Sequence, residues 1–145
     1  MEVKYRKSGS WLFLAWAVSV VATLGSLYLS EVLHYVPCSL CWYQRIFMYP
    51  LVLLLGIATA RSSSVIIPYV LPLAIIGGGF SAYHILLQNL PKDSGLANAC
   101  GAVSCAEDYL NWFGFITIPM LALAAFLIII IALVQVHKLE KRSRY

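Results

Sequence analysis

Charge is what this sequence has least of. Ten Lys/Arg and six Asp/Glu among 145 residues make only 11% charged, against 61% hydrophobic residues and a mean hydropathy of +0.84. Soluble domains carry about 25% charged and about 45–50% apolar residues. The deficit excludes an ordinary soluble globule and points to an integral membrane protein. Also missing are an internal repeat, a low-complexity segment and a composition break, so a single domain over residues 1–145 is expected. The basic start "MEVKYRK" precedes a long apolar run with no small-x-small cleavage site, which predicts a retained first helix rather than a removed signal. The net charge of +4 would indicate an anionic partner in a soluble protein. Here the position of each charge matters more than the sum, and no nucleic-acid partner is expected.

What is present is hydrophobic length. A spanning helix needs roughly 20 mainly apolar residues. Four segments meet that need, at about 11–33, 42–60, 65–90 and 112–136. They are too apolar, and mostly too long, for strands of a membrane barrel. The expected fold is an all-α membrane protein, a bundle of four transmembrane helices.

Orientation follows from lysine and arginine in short loops. Lys4, Arg6, Lys7, Arg61, Lys138, Lys141, Arg142 and Arg144 lie on one side of the predicted bundle, and only Lys92 lies in a loop on the other. Eight against one predicts both termini in the cytoplasm. The outer loops are then about 34–41 and 91–111. Cysteine is absent from the inner loops: Cys38, Cys41, Cys100 and Cys105 all fall in the outer ones, where disulfides persist.

Within the spans, "GGG" at 77–79 permits close helix approach. Pro68, Pro72 and Pro119 would bend or start helices, and Trp11, Trp42, Tyr43, Trp112 and Phe113 fall where an aromatic belt belongs. In the second outer loop, Ser104 and Glu107 have the spacing of a capping box. They predict a short helix from about residue 105 that Tyr109, Leu110, Trp112 and Phe113 would lay on the membrane surface.

The stretch "VPCSLCWYQR" places Cys38 and Cys41 three apart at the mouth of the second span. A zinc knuckle would need further ligands, which Cys100, Cys105 or His34 would have to supply. The outer location and the lipid-like helix argue against it, and no metal is expected. A structural clamp is a second reading, but a ring closed over two intervening residues restrains little chain entropy. The same ring suits reversible thiol–disulfide exchange. Exchange needs a thiolate. Cys41 stands at a predicted helix N-terminus, where the macrodipole favours negative charge, and Arg45 lies one turn on along the same face. An arginine just inside a span is a candidate functional residue, with snorkelling to the headgroups as the plain alternative. His84 and Gln88, also four apart, fall in the outer turns of the third span at about the depth of Arg45. Together the three offer hydrogen bonds to a quinone headgroup beside a thiol pair, although each taken singly fits an interhelical hydrogen-bonding role.

These residues, taken together, resemble the DsbB family of membrane thiol:quinone oxidoreductases, most closely its short Gram-positive branch of the BdbC type. The resemblance covers essentially the whole chain. It rests on four spans, a Cys-x-x-Cys opening the second, Arg45 four residues after Cys41, and a second cysteine pair before the fourth span. "YHILLQ" looks like the family's His-x-x-x-Gln segment, and "NWFGFITIP" like its approach to the last helix. The Cys100–Cys105 spacing is the short Gram-positive form, much tighter than the Gram-negative one.

The resemblance implies a path for electrons. A reduced thioredoxin-fold thiol-disulfide oxidase of the DsbA/BdbD kind would attack a Cys100–Cys105 disulfide, with Cys100 in the mixed disulfide and Cys105 resolving it. The reduced pair would pass two electrons to Cys38–Cys41. Cys41 would then reduce a membrane quinone, menaquinone or ubiquinone, with Arg45, His84 and Gln88 lining its site. Two alternatives remain open at this point. One is a vitamin K epoxide reductase-like enzyme, whose Cys-x-x-Cys lies later in the bundle. The other is a non-enzymatic four-span scaffold with structural disulfides.

Overall fold

The computed structural model describes residues 2–34, 37–63, 65–89 and 117–142, with side chains from residue 7 onward. Four helices make up nearly all of this: α1 (Glu2–Glu31), α2 (Ser39–Ala60), α3 (Ile67–Asn89) and α4 (Ile118–Lys141). Each is long and apolar enough to cross a membrane, the first from Lys7 onward. The chain is an all-α four-span bundle, as the hydrophobic lengths predict. Cys100, Cys105, the Ser104–Glu107 capping box with its surface helix, and the first residues of the predicted fourth span lie outside the described residues.

The helix limits sharpen the sequence reading at the ends. α1 begins well before residue 11, because nothing in "EVKYRKSGS" breaks a helix that the following apolar run extends. α2 begins at Ser39, three residues earlier than predicted, with Cys38 as its N-cap in extended conformation. Thr117 caps α4 in the same way, and Pro119 occupies the first turn, where a proline's missing N–H costs nothing. Pro50 and Pro72 lie inside α2 and α3. Each forfeits one backbone hydrogen bond, a loss that packing among neighbouring helices accommodates.

α1 packs on α2 and α4, and α3 packs on the same two, so the helices stand at the corners of a square in chain order. Leu51, Leu55, Val70, Phe126, Ile129 and Leu133 fill the centre with essentially no exposure. Large apolar side chains such as Val21, Leu53 and Tyr69 face outward at 70–75% exposure. A helix apolar on every side needs an apolar solvent on its outer face, which a lipid bilayer supplies.

With lipid outside, van der Waals fit rather than apolar burial must hold the helices together. Gly77 is where the fit is tightest. A Cβ built there would stand 2.5 Å from the Phe126 ring and 3.1 Å from Phe47 Cβ. Only the first glycine of the "GGG" run needs its bare backbone in this way: a Cβ on Gly78 meets Phe126 at an ordinary 3.5 Å, and one on Gly79 meets nothing. Phe80 stacks between Tyr43 and Phe47, with ring centroids 5.3 and 5.5 Å away, joining α3 to α2 just beside the cysteine pair.

Candidate functional site

The cysteine pair takes its geometry from the start of α2. Cys38 is the N-cap and Cys41 sits in the first turn, so both side chains emerge on one side of the helix end. Their sulfurs lie 3.0 Å apart. Cys38 is buried and Cys41 half-buried. Leu40, Leu87 and Phe80 close an apolar cover around the pair.

His84 reaches the pair from α3. Its Nε2 lies 3.7 Å from Cys38 Sγ, and its Nδ1 lies 3.3 Å from the side-chain nitrogen of Gln44 on α2. All three side chains are at least nine-tenths buried. With the Gln44 amide donating to Nδ1, the imidazole carries its proton on Nε2 and donates toward the Cys38 sulfur. Hydrogen bonding from Cys41, then from His84 and the Cys41 backbone N–H, outweighs the opposing effect of burial. It holds the Cys38 thiol well below its reference of 9.0, at about 4.

From the sequence, Arg45 is offered as counter-charge to a thiolate on Cys41 or to an anion that develops on something bound beside it. The thiol held low here is Cys38, first by its hydrogen bond from Cys41 and then by His84, which arrives on another helix. Arg45 turns toward α1: its guanidinium donates to the Ser26 carbonyl at 2.9 Å and lies 5.6 Å from the Trp42 ring centroid. It is half-buried and is one of the residues that line the cavity beside the thiol pair.

Cys38, Cys41, Arg45, His84 and Gln88 all line one cavity of about 610 Å³ that runs from the thiol pair along α1 and α4. Its walls are largely apolar, and small residues of α1, among them Ala17, Ala22 and Gly25, make room for it. The structure therefore brings five of the seven residues singled out in the sequence around one space. Cys100 and Cys105 lie outside the described residues. Gln44 is the functional neighbour that sequence reasoning missed. It stands within "CWYQR", three residues past Cys41, and its partner is forty positions away on another helix.

A four-helix membrane bundle with a cysteine pair lining a largely apolar cavity defines a class: membrane proteins that carry a thiol pair beside an apolar space. The family model for the disulfide bond formation protein DsbB matches residues 8–136. The chain is 55% identical over 120 residues to the disulfide bond formation protein C of Bacillus subtilis, covering 83% of this chain and 87% of that protein. It is 46% identical over 134 residues to a probable disulfide formation protein of Coxiella burnetii, covering 90% of each. No solved structure matches the chain. The chain belongs to the DsbB family of disulfide bond formation proteins.

Proposed function

We propose that this protein is a thiol:quinone oxidoreductase of the bacterial cell membrane. It re-oxidises an extracytoplasmic thioredoxin-fold thiol-disulfide oxidase and passes the electrons to a membrane quinone, so sustaining disulfide formation in exported proteins. The observation that carries this reading is the position of the Cys38–Cys41 pair at one end of the apolar cavity that Arg45, His84 and Gln88 also line. The lysine and arginine distribution supports placing that end outside and both termini inside.

The cavity fits a quinone on its own features. About 610 Å³ lies in the usual range for a small-molecule site, and an apolar wall with a few placed polar groups is what a ring with two carbonyl oxygens requires. Arg45, Gln88 and His84 would hold the headgroup by hydrogen bonds, and the α1 and α4 walls would take the isoprenoid tail. When bound, the quinone supplies a two-electron, two-proton acceptor of higher potential than the thiols, so transfer runs outward from the dithiol.

The residues of the chain manage what precedes that. Two electrons arrive by thiol–disulfide exchange through Cys100 and Cys105, each exchange breaking one S–S bond as it makes another. Reduction of the Cys38–Cys41 bond leaves two thiols, of which Cys38 is held as thiolate by Cys41 and His84. Cys41, half-buried and lining the cavity, is the sulfur that faces the acceptor; as the Cys38–Cys41 bond re-forms, the two sulfurs together release two electrons and the proton that Cys41 carries. Arg45 keeps a fixed positive charge at the place where negative charge develops.

Purified protein given a reduced thioredoxin-like partner and a short-chain quinone should consume the quinone, followed by its absorbance. Replacement of Cys41 by serine should abolish turnover; an unchanged rate in that variant sinks the reading.

A further inference from the structure

The thiol pair and His84 also make a site for a cation. The two sulfurs and a ring nitrogen of His84 lie within 4.8 Å of one another. Two donors come from the N-cap and first turn of α2 and the third from α3, so the packing of two helices sets the cluster. Two sulfurs and an imidazole favour thiophilic cations such as zinc, cadmium or cuprous ion over magnesium or calcium. Among the described residues, the cavity lining holds no carboxylate that would shift this preference toward hard cations.

The dimensions suit a tetrahedral centre. With bonds of about 2.3 Å to sulfur and about 2.0–2.1 Å to nitrogen, the sulfur–nitrogen edge is about 3.5 Å. The distance from Cys38 Sγ to His84 Nε2 is 3.7 Å. The sulfur–sulfur edge would be about 3.8 Å, against 3.0 Å between the sulfurs here. The pair must open by less than an ångström, and Cys41 borders the cavity into which it would open. Repulsion between two thiolates acts in the same direction.

A histidine ligand needs a partner on its other ring nitrogen, which fixes the ring and its proton. Gln44 already stands at Nδ1, 3.3 Å away. Ligation through Nε2 moves the imidazole proton to Nδ1, and a flip of the Gln44 amide presents its oxygen as the acceptor. Three protein ligands with the fourth position facing a cavity is the pattern of an open rather than a closed site.

We propose that Cys38 and Cys41 in their reduced form, together with Nε2 of His84, chelate one zinc-class cation at the mouth of the cavity. Binding releases to solvent the protons that the two thiols still carry. Oxidation to the disulfide consumes both thiolates, so the cation binds only the reduced pair. While bound it occupies both sulfurs and halts their exchange. That last consequence rests on the oxidoreductase reading above, whereas the site itself does not.

The test uses the full chain with Cys100→Ser and Cys105→Ser, so that Cys38 and Cys41 are the only thiols. The protein is reduced in detergent, freed of metal with a chelator and titrated with cadmium, following the thiolate-to-cadmium charge-transfer absorption. The band should saturate at one cadmium per chain, yield to zinc and vanish when the pair is oxidised. His84→Ala should weaken binding by about tenfold or more, comparable to the loss of an outer-shell partner or greater. Absence of a saturable band overturns the site, and so does a His84→Ala variant that binds as tightly as its parent. A second measurement leaves His84 in place. With 15N-labelled histidine, zinc should shift the His84 Nε2 resonance; bound zinc with unmoved His84 nitrogens removes His84 from the site.

Discussion

The side-chain amide of Gln44 lies 3.3 Å from Nδ1 of His84, and the same imidazole presents Nε2 to the Cys38 sulfur at 3.7 Å. A glutamine on one helix thereby sets which nitrogen a histidine on another turns toward the thiol. The chain of contacts ends at the residue whose acidity it alters.

Cys38 reactivity should show this directly. Its thiol is held at about 4, below the reference of 9.0, so the thiolate persists above that value and is lost as pH falls through it. Alkylation of Cys38 in reduced, chelator-treated protein, read by mass spectrometry, should follow a midpoint far below that of an ordinary thiol. Cys41→Ala should move the midpoint up the most and His84→Ala by less, matching the order of the two causes. An ordinary midpoint in the parent protein would contradict the geometry.

Arg45 separates quinone contact from membrane anchoring. Because its guanidinium is committed to Ser26 on the cavity side, Arg45→Ala should raise the apparent quinone KM by about tenfold or more, the range for loss of a hydrogen bond to a charged group. Arg45→Lys should recover part of it. An unchanged KM would reduce Arg45 to a helix-to-helix tie.

Turnover and fold should part company at the cysteines. Replacing Cys38 and Cys41 together with serine should leave the melting temperature in detergent nearly unchanged, since so short a ring restrains little of the unfolded chain. Quinone reduction should vanish. A large loss of stability would favour the scaffold alternative.

Gly77 and Phe126 should be coupled in stability. Gly77→Val places atoms where the Phe126 ring stands, and overpacking of this kind typically costs about 1–3 kcal/mol. Phe126→Leu in the same chain should return part of that loss in a double-mutant cycle. Gly79→Ala, with open space at its Cβ, should be neutral.

Topology can be checked in intact cells. A membrane-impermeant maleimide added outside should label Cys100 and Cys105 after mild reduction, whereas cysteines introduced at Ser62 or Ser63 should stay unlabelled. The reverse pattern would invert the orientation derived from the lysine and arginine counts.

The four spans were legible because hydrophobic length is a local property that a single chain carries in full. The helix limits were less so. α2 starts three residues earlier than predicted because Cys38 serves as its cap, a role that the apolar count does not register. The thiol pair was legible from spacing alone, since an N-cap and the third residue after it share one helical turn. Arg45, His84 and Gln88 could be placed at a common depth by counting turns, and they do line one cavity.

Sequence by itself therefore determined the class of fold, the thiol pair and which polar side chains gather near it, all of which follow from short-range periodicity along the chain. Tertiary structure alone decided that His84 stands against the Cys38 sulfur. It also decided where Arg45 points and that Gln44 matters at all. Those three outcomes depend on which faces of α1, α2 and α3 meet. Helix packing sets that by fitting shapes such as Phe47 of α2 against Gly77 of α3, joining positions far apart along the chain.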